Sequence, residues 1–205
     1  MGKESGARIV LPEINDKRVQ EAVTKLNLLD FEVINHADFQ DNFDTYLDYI
    51  NALHFTDNWP EKNLRDYLDD PLHFSMAMTA CDDADGVIAG AATPSSEVIR
   101  SAIRIIGIHP NAKNVSSIFF MIAPQGDTAY TFADCAVIPE PDSKQLAAIA
   151  GDSAEFHQLL TGEEPKVAFL SFSTKGSASH YRVDRVREAV EIFAHKYPNI
   201  IHDGE

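Results

Sequence analysis

Cysteine is almost missing from these 205 residues: Cys81 and Cys135 are the only two. Two are too few for a disulfide framework, so nothing in the chain calls for an oxidising compartment. Basic residues are scarce as well. Lys and Arg number 17 against 32 Asp and Glu, a formal net charge of −15 at pH 7, which repels the phosphates of a nucleic acid instead of gathering them. No apolar run approaches the roughly 20 residues that a membrane-spanning helix requires. The opening Met1-Gly2-Lys3-Glu4-Ser5-Gly6 is polar and leads straight into Ile9-Val10-Leu11, so it offers no secretory apolar segment. The expectation is a soluble, cytoplasmic protein that binds neither nucleic acid nor membrane. A small polyanion stays open to it, provided that basic side chains and backbone N–H groups cluster locally.

Several chemical templates are also lacking. There is no G-x-S-x-G elbow, no H-E-x-x-H and no C-x-x-C, and the eight histidines include no pair at ligand spacing, so no metal is expected. Cys135, after Asp134 at the end of a strand, reads as a small core residue rather than a reactive thiol. Trp59, in an acidic stretch bounded by proline, reads as a packing anchor.

What is present is ordinary globular composition, with 44% hydrophobic and 24% charged residues, in a chain long enough for one substantial domain or two small ones. Short apolar strands alternate with amphipathic helices. The pattern predicts strands at 8–11, 32–34, 85–90, 115–122, 129–134 and 166–172, and a strand-like start at 200. Helices are predicted at 16–29, 72–81, 98–106, 143–160 and 183–195. Asp16 is a candidate N-cap, and Asp142 with Gln145 three residues on has the form of a capping box. Pro124-Gln125-Gly126-Asp127 reads as a hairpin connection, whereas 38–70 is aromatic, acidic and less regular. Such alternation indicates an α/β fold with a largely parallel sheet.

In open α/β sheets ligands bind beyond the carboxyl ends of the strands, and two loops there are rich in donors. In Thr93-Pro94-Ser95-Ser96-Glu97-Val98-Ile99-Arg100, Thr93 or Ser95 can cap a helix, and Ser96 and Arg100 are four apart and share a face. Hydroxyls and a guanidinium then converge in a manner that suits phosphate. The plainer alternative is a capped helix whose Arg100 pairs with a surface carboxylate. Ser171-Phe172-Ser173-Thr174-Lys175-Gly176-Ser177-Ala178-Ser179 is the second loop. It is not a Walker A motif, and a solvent loop built on Ser and Gly turns explains it equally well.

These blocks carry a resemblance. Arg8 to Glu13 with Asp16 and Arg18-Val19, Asp83 to Ala91, Ser95 to Ile106, Val115 to Met121, Phe132 to Ala136, Val167 to Ala178 and Asp203-Gly204-Glu205 together resemble the phosphate acetyltransferase and phosphate butyryltransferase family. The resemblance implies a three-layer α/β/α architecture in two domains, placed at 1–122 and 123–205 with the second incomplete. It implies reversible transfer of an acetyl or short acyl group between coenzyme A and phosphate, by direct attack of the CoA thiol. Arg100 would be catalytic and hold the phosphate, with Ser95, Ser96, Lys175 and Ser177 binding substrate. CoA would be a substrate, with no permanently bound cofactor, and the chain would form a homo-oligomer or be completed by another polypeptide. Family members continue past Asp-Gly-Glu into a segment that carries a serine, an arginine and an aspartate tied to thiol activation. They also carry basic residues where this chain has Thr56-Asp57-Asn58-Trp59-Pro60-Glu61. A catalytically incomplete relative or fragment with a regulatory, ligand-binding or structural role is therefore the alternative, and an open second domain should expose apolar surface and associate.

Overall fold

The structure, a computed structural model, describes residues 6–110, 112, 114–126 and 128–205. The polar opening as far as Ser5, and Asp127 of the hairpin connection, lie outside the described residues. The chain divides into two compact units, Met1–His109 and Pro110–Glu205.

In the first unit three parallel strands form a sheet in the order β2-β1-β3, with β1 (Arg8–Val10) central between β2 (Glu32–Ile34) and β3 (Gly86–Val87). Helix α1 (Lys17–Leu28) makes the crossover from β1 to β2, and the Asp16 side chain caps it by accepting the Arg18 N–H. Val19 faces inward, and Val23 and Leu26 are half-buried along the same stripe. The strand order is reinforced by Arg8, whose guanidinium and amide both reach Asp85 at 2.7 to 3.2 Å and whose Nη2 donates to the Asp82 carbonyl.

The stretch 38–70, expected to be irregular, is mostly helical. It holds α2 (Phe43–Asn51) and α3 (Glu61–Leu68), with 3-10 turns at His36–Asn42 and His54–Thr56. Its inward positions are Tyr46, Leu47 and Ile50, then Leu64 and Leu68, the spacing of one helical stripe. Acidic residues on the outward faces and the breaks at Asp57-Asn58 and Pro60 hide that stripe in the sequence. The stripes pack on α4 (Pro71–Ala80), which is buried almost all round, and Phe74 meets the Tyr46 ring edge-on at 5.0 Å. Trp59 sits edge-to-face with Phe55 and Tyr67, an aromatic anchor as expected.

The helix expected at 98–106 begins earlier. Helix α5 spans Ser95–Ser101 and continues as a π-helical turn, Ala102–Ile106, which the left-handed Gly107 ends. Neither Thr93 nor Ser95 caps it. Pro94 occupies the cap position, and the polar groups of the loop before it are engaged elsewhere.

In the second unit β4 (Ile118–Ile122) and β5 (Ala129–Ala133) pair antiparallel through all five residues around the expected turn. The expected boundary at 122 would separate these two strands, whereas both lie in the second compact unit. Helix α6 (Ser143–Thr161) starts with the full capping box of Asp142 and Gln145 and ends at the left-handed Gly162. Strand β6 (Lys166–Phe169), helix α7 (Tyr181–Lys196) and β7 (Ile201–Gly204) form a second parallel unit, with Val183, Val186 and Phe193 buried on one face of α7. The class is α/β, as expected. One face of the hairpin stays open: Phe119, Met121, Tyr130 and Phe132 are 52 to 59% exposed.

Gly204 shows how tightly β7 is laid down. A Cβ there would stand 2.5 Å from the Phe169 Cβ and 2.9 Å from its carbonyl oxygen. Gly204→Ala is expected to push β7 off β6 and cost roughly 1–3 kcal/mol, read as a lower Tm in thermal unfolding.

Candidate functional site

The loops beyond the parallel strands are shaped by carboxylates. Glu13 lies three residues past the end of β1 and reaches over the loop after the neighbouring strand β3. One carboxylate oxygen accepts the N–H groups of Gly90 and Ala91 at 2.9 and 2.7 Å, and the other accepts those of Ala92 and Thr93 at 2.8 and 2.6 Å. Arg18 ties the same loop from its other side, donating to the Ala91 carbonyl while Asp16 holds its guanidinium at 2.6 and 3.0 Å. Burial by itself would raise the Glu13 carboxyl, but the hydrogen bonds from Ala91, Ala92 and Thr93 outweigh it and hold the pKa at about 2.

The second unit repeats the device twice. Asp134 accepts the amides of Ser117, Ala136, Val137 and Ile138 at 3.0, 3.2, 3.3 and 2.7 Å, together with the Ser117 hydroxyl. Against the cost of burial, these bonds bring Asp134 from its usual 3.8 to about 2. Glu205, next after β7, accepts the Ser173 hydroxyl and the Gly176 amide, the latter at 3.0 Å to both oxygens, and pairs with Arg187 at 3.1 Å. The Ser173 hydroxyl and Gly176 amide in turn lower its pKa. Gly204 matters here because its close approach to Phe169 carries Glu205 onto the loop after β6.

The residues singled out in the sequence stand on these pinned loops. Ser95, Ser96 and Arg100 come after the Glu13-bound loop on one short helix, all three exposed. Among the described residues no carboxylate pairs with Arg100, so its guanidinium is available to a ligand. Lys175 and Ser177 belong to the other unit. Lys175, at φ +44°, lies 3.7 Å from Asp203 with both side chains exposed, and the Ser177 hydroxyl oxygen accepts the Thr174 N–H at 2.8 Å. The structure thus gathers Ser95, Ser96 and Arg100 on one element and Lys175 with Ser177 on another.

Cys135 is half-buried rather than a core residue, its thiol donating to the Phe132 carbonyl at 3.1 Å. Among the described residues no group of three or more His, Cys, Asp or Glu is arranged to hold a metal ion. A cavity of about 450 Å³ lies elsewhere in the first unit, between α2 and α3, lined by Asp44, Asp48, Glu61, Trp59 and Arg65 among others. Its one cation, Arg65, is already paired with Glu61 and Asp44, so its walls repel phosphate. The roles of Glu13, Asp134 and Glu205 were not legible as such. Their only signal is a carboxylate placed at or just past a strand end.

In this α/β fold the loops pinned by Glu13 and Glu205 lie beyond strand ends, and exposed hydroxyls and a cation stand on or just after each of them. The pattern of the phosphate acetyl/butaryl transferase family matches residues 24–205, and the chain belongs to that family. A phosphate acetyltransferase of Thermoanaerobacterium thermosaccharolyticum is 37% identical over 207 residues, covering 99% of this chain and 62% of that protein. Among solved structures, a phosphotransacetylase from Streptococcus pyogenes superposes with a TM-score of 0.79 at 31% identity, covering 98% of this chain and 68% of that one. A phosphotransacetylase from Staphylococcus aureus gives 0.75 at 33%, covering 100% and 69%. The chain thus spans somewhat less than two thirds of the length of the Thermoanaerobacterium relative.

Because Glu13 and Asp134 have folded-state pKa values below their unfolded ones, their contribution to stability is complete above about pH 4.5 and is lost as the pH falls towards 2. Thermal melts between pH 6 and pH 2 should therefore fall in Tm mainly below pH 4.5. Asp134→Asn should lower Tm at pH 7, a loss of roughly 1–3 kcal/mol, with the gap to the parent protein closing near pH 2. A gap that stays constant with pH would show that ionised Asp134 is not what holds its loop.

Proposed function

We propose that the protein transfers an acetyl or other short acyl group reversibly between coenzyme A and inorganic phosphate. The reading is supported by the family match over residues 24–205, and the observation that carries it is Arg100, an exposed guanidinium with no internal partner among the described residues, just beyond the Glu13-bound loop. A guanidinium presents a fixed fork of donors that binds two phosphate oxygens at once. In the direction of acyl-CoA formation, the CoA sulfur attacks the acyl carbon, the C–S bond forms, and the bond from that carbon to the phosphate oxygen breaks. The thiol proton is lost in the same sequence, and the electron pair leaves with phosphate. Negative charge therefore grows on the phosphate as the bond breaks, and a cation fixed there stabilises the transition state more than the ground state. The Ser95 and Ser96 hydroxyls add donors to the same group; Lys175 and Ser177 are substrate donors of their own loop in the second unit.

CoA is a substrate in this scheme, and neither a permanently bound cofactor nor a metal is required. A thiol whose pKa is that of cysteine, about 8.5, or higher is mostly protonated at pH 7, so the rate should rise with pH until the thiolate dominates. Among the described residues no helix is long and apolar enough to cross a membrane, and we place the protein in the cytoplasm as a homo-oligomer. The open hairpin face at Phe119, Met121, Tyr130 and Phe132 supports self-association.

The test is acetyl-CoA formation from acetyl phosphate and CoA by the purified protein. Arg100→Ala should lower kcat/KM by about 100-fold or more, the scale seen when a charge-stabilising donor is removed from an active site. Turnover that survives Arg100→Ala would overturn the assignment of Arg100. Absence of turnover, with neither CoA nor phosphate shifting Tm, would overturn the function. Sedimentation velocity should show an assembly larger than the monomer, and a compact monomer at all concentrations would count against the oligomer.

A further inference from the structure

Four consecutive amides, from Gly90 to Thr93, converge on the two oxygens of Glu13. A run of main-chain N–H groups aimed at one point is the geometry in which proteins bind free anions, and here the chain supplies the anion itself. Gly90, at φ +107°, provides a backbone conformation that other residues adopt only with strain, and it starts the turn. With all four hydrogens directed at Glu13, the loop has none of them to offer a substrate. A phosphate group at this corner must therefore be held by the residues immediately after the loop: Ser95, Ser96 and Arg100 on α5.

We propose that Glu13 is a positioning residue for the acyl phosphate. As a built-in anion it holds the 90–93 loop in the one shape that presents Ser95, Ser96 and Arg100 to the substrate's phosphate, while making no contact with the substrate. The inference rests on the reading of this corner as the phosphate site.

The chemistry of the contact makes the role specific to a carboxylate. Two oxygens each accept two N–H groups, an arrangement that needs acceptor capacity on both sides. A glutamine in its place keeps one accepting oxygen and turns an NH2 group, a donor, towards two of the four amides. An alanine leaves all four without an acceptor but opens a space that suits a formate ion, a carboxylate without a side chain. An error in the loop should damage recognition of the phosphate-bearing substrate and leave affinity for the thiol substrate as it was.

The experiment measures KM for acetyl phosphate and for CoA separately in the parent protein, Glu13→Gln, Glu13→Ala and Arg100→Ala, together with amide hydrogen exchange across residues 88–96. Both Glu13 variants should raise KM for acetyl phosphate about tenfold or more, the scale of one or two lost hydrogen bonds to a charged group, and speed exchange at 90–93. KM for CoA should change by less than about twofold, within the effect of a few tenths of a kcal/mol. Formate should restore both the KM and the exchange protection of Glu13→Ala, saturably, and do nothing for Glu13→Gln or the parent protein. Faster exchange with an unchanged KM for acetyl phosphate would overturn the proposal, because the loop would then not govern the substrate. Equal damage to both substrates without rescue by formate would reduce Glu13 to a general structural role, and unchanged exchange would show that it does not hold the loop. If the parent protein neither turns over acetyl phosphate nor is stabilised by it, the function is what has failed. The exchange and formate measurements then still report on the contact, but the positioning role falls with the function.

Discussion

A backbone N–H at the end of a strand has lost its sheet partner and must find another acceptor, and a carboxylate is the strongest that the side-chain repertoire offers. The carboxyl ends of the parallel strands in this protein are organised by that need. Glu13 answers it for the loop after β3 and Glu205 for the loop after β6, each reaching across from the neighbouring strand. Asp134 does the same beside the antiparallel hairpin. In each case a charge that would be costly to bury is repaid by several short donors, so the side chain stays ionised and the loop acquires a single shape. The first two loops lead directly into the residues that carry the proposed chemistry.

This arrangement alters the meaning of the acidic composition. A net charge of −15 suggests a solvated, repellent surface, and much of the protein is that. Yet three of the acids face inward, towards main-chain donors. Many of the few basic side chains are likewise committed, Arg8 to Asp85, Arg18 to Asp16 and Arg187 to Glu205. Among the described arginines Arg100 has neither an ion pair nor a ring contact, a freedom it shares with lysines such as Lys17 and Lys25. The availability of Arg100 comes from its place on a short helix whose start is decided by the loop before it rather than by a side-chain cap.

Much of the fold could be read from local signals. The Asp142 capping box, the N-cap at Asp16, the hairpin turn and β2 at 32–34 depend on residues a few positions apart, and they stand where their chemistry predicts. The stretch 38–70 could not be read so well. Its helical stripes are short, interrupted by Asp57-Asn58 and Pro60, and become visible only when Tyr46, Ile50, Leu64 and Leu68 are seen to share one core. The strand expected at 85–90 shrinks to Gly86–Val87, because the residues after it leave the sheet to bind Glu13.

Outside 38–70, the order of strands and helices is legible in the sequence alone, as is the family, since each rests on local periodicity or on blocks of residues in register. The partners of Glu13, Asp134 and Glu205 are not. Glu13 is 77 positions from Gly90, and only the side-by-side pairing of β1 with β3 brings them within 2.9 Å. Glu205 meets Gly176 because Gly204 lets β7 lie close against β6. Contacts between residues so far apart in the chain are set by which strands become neighbours, and that is a property of the folded sheet rather than of any segment within it.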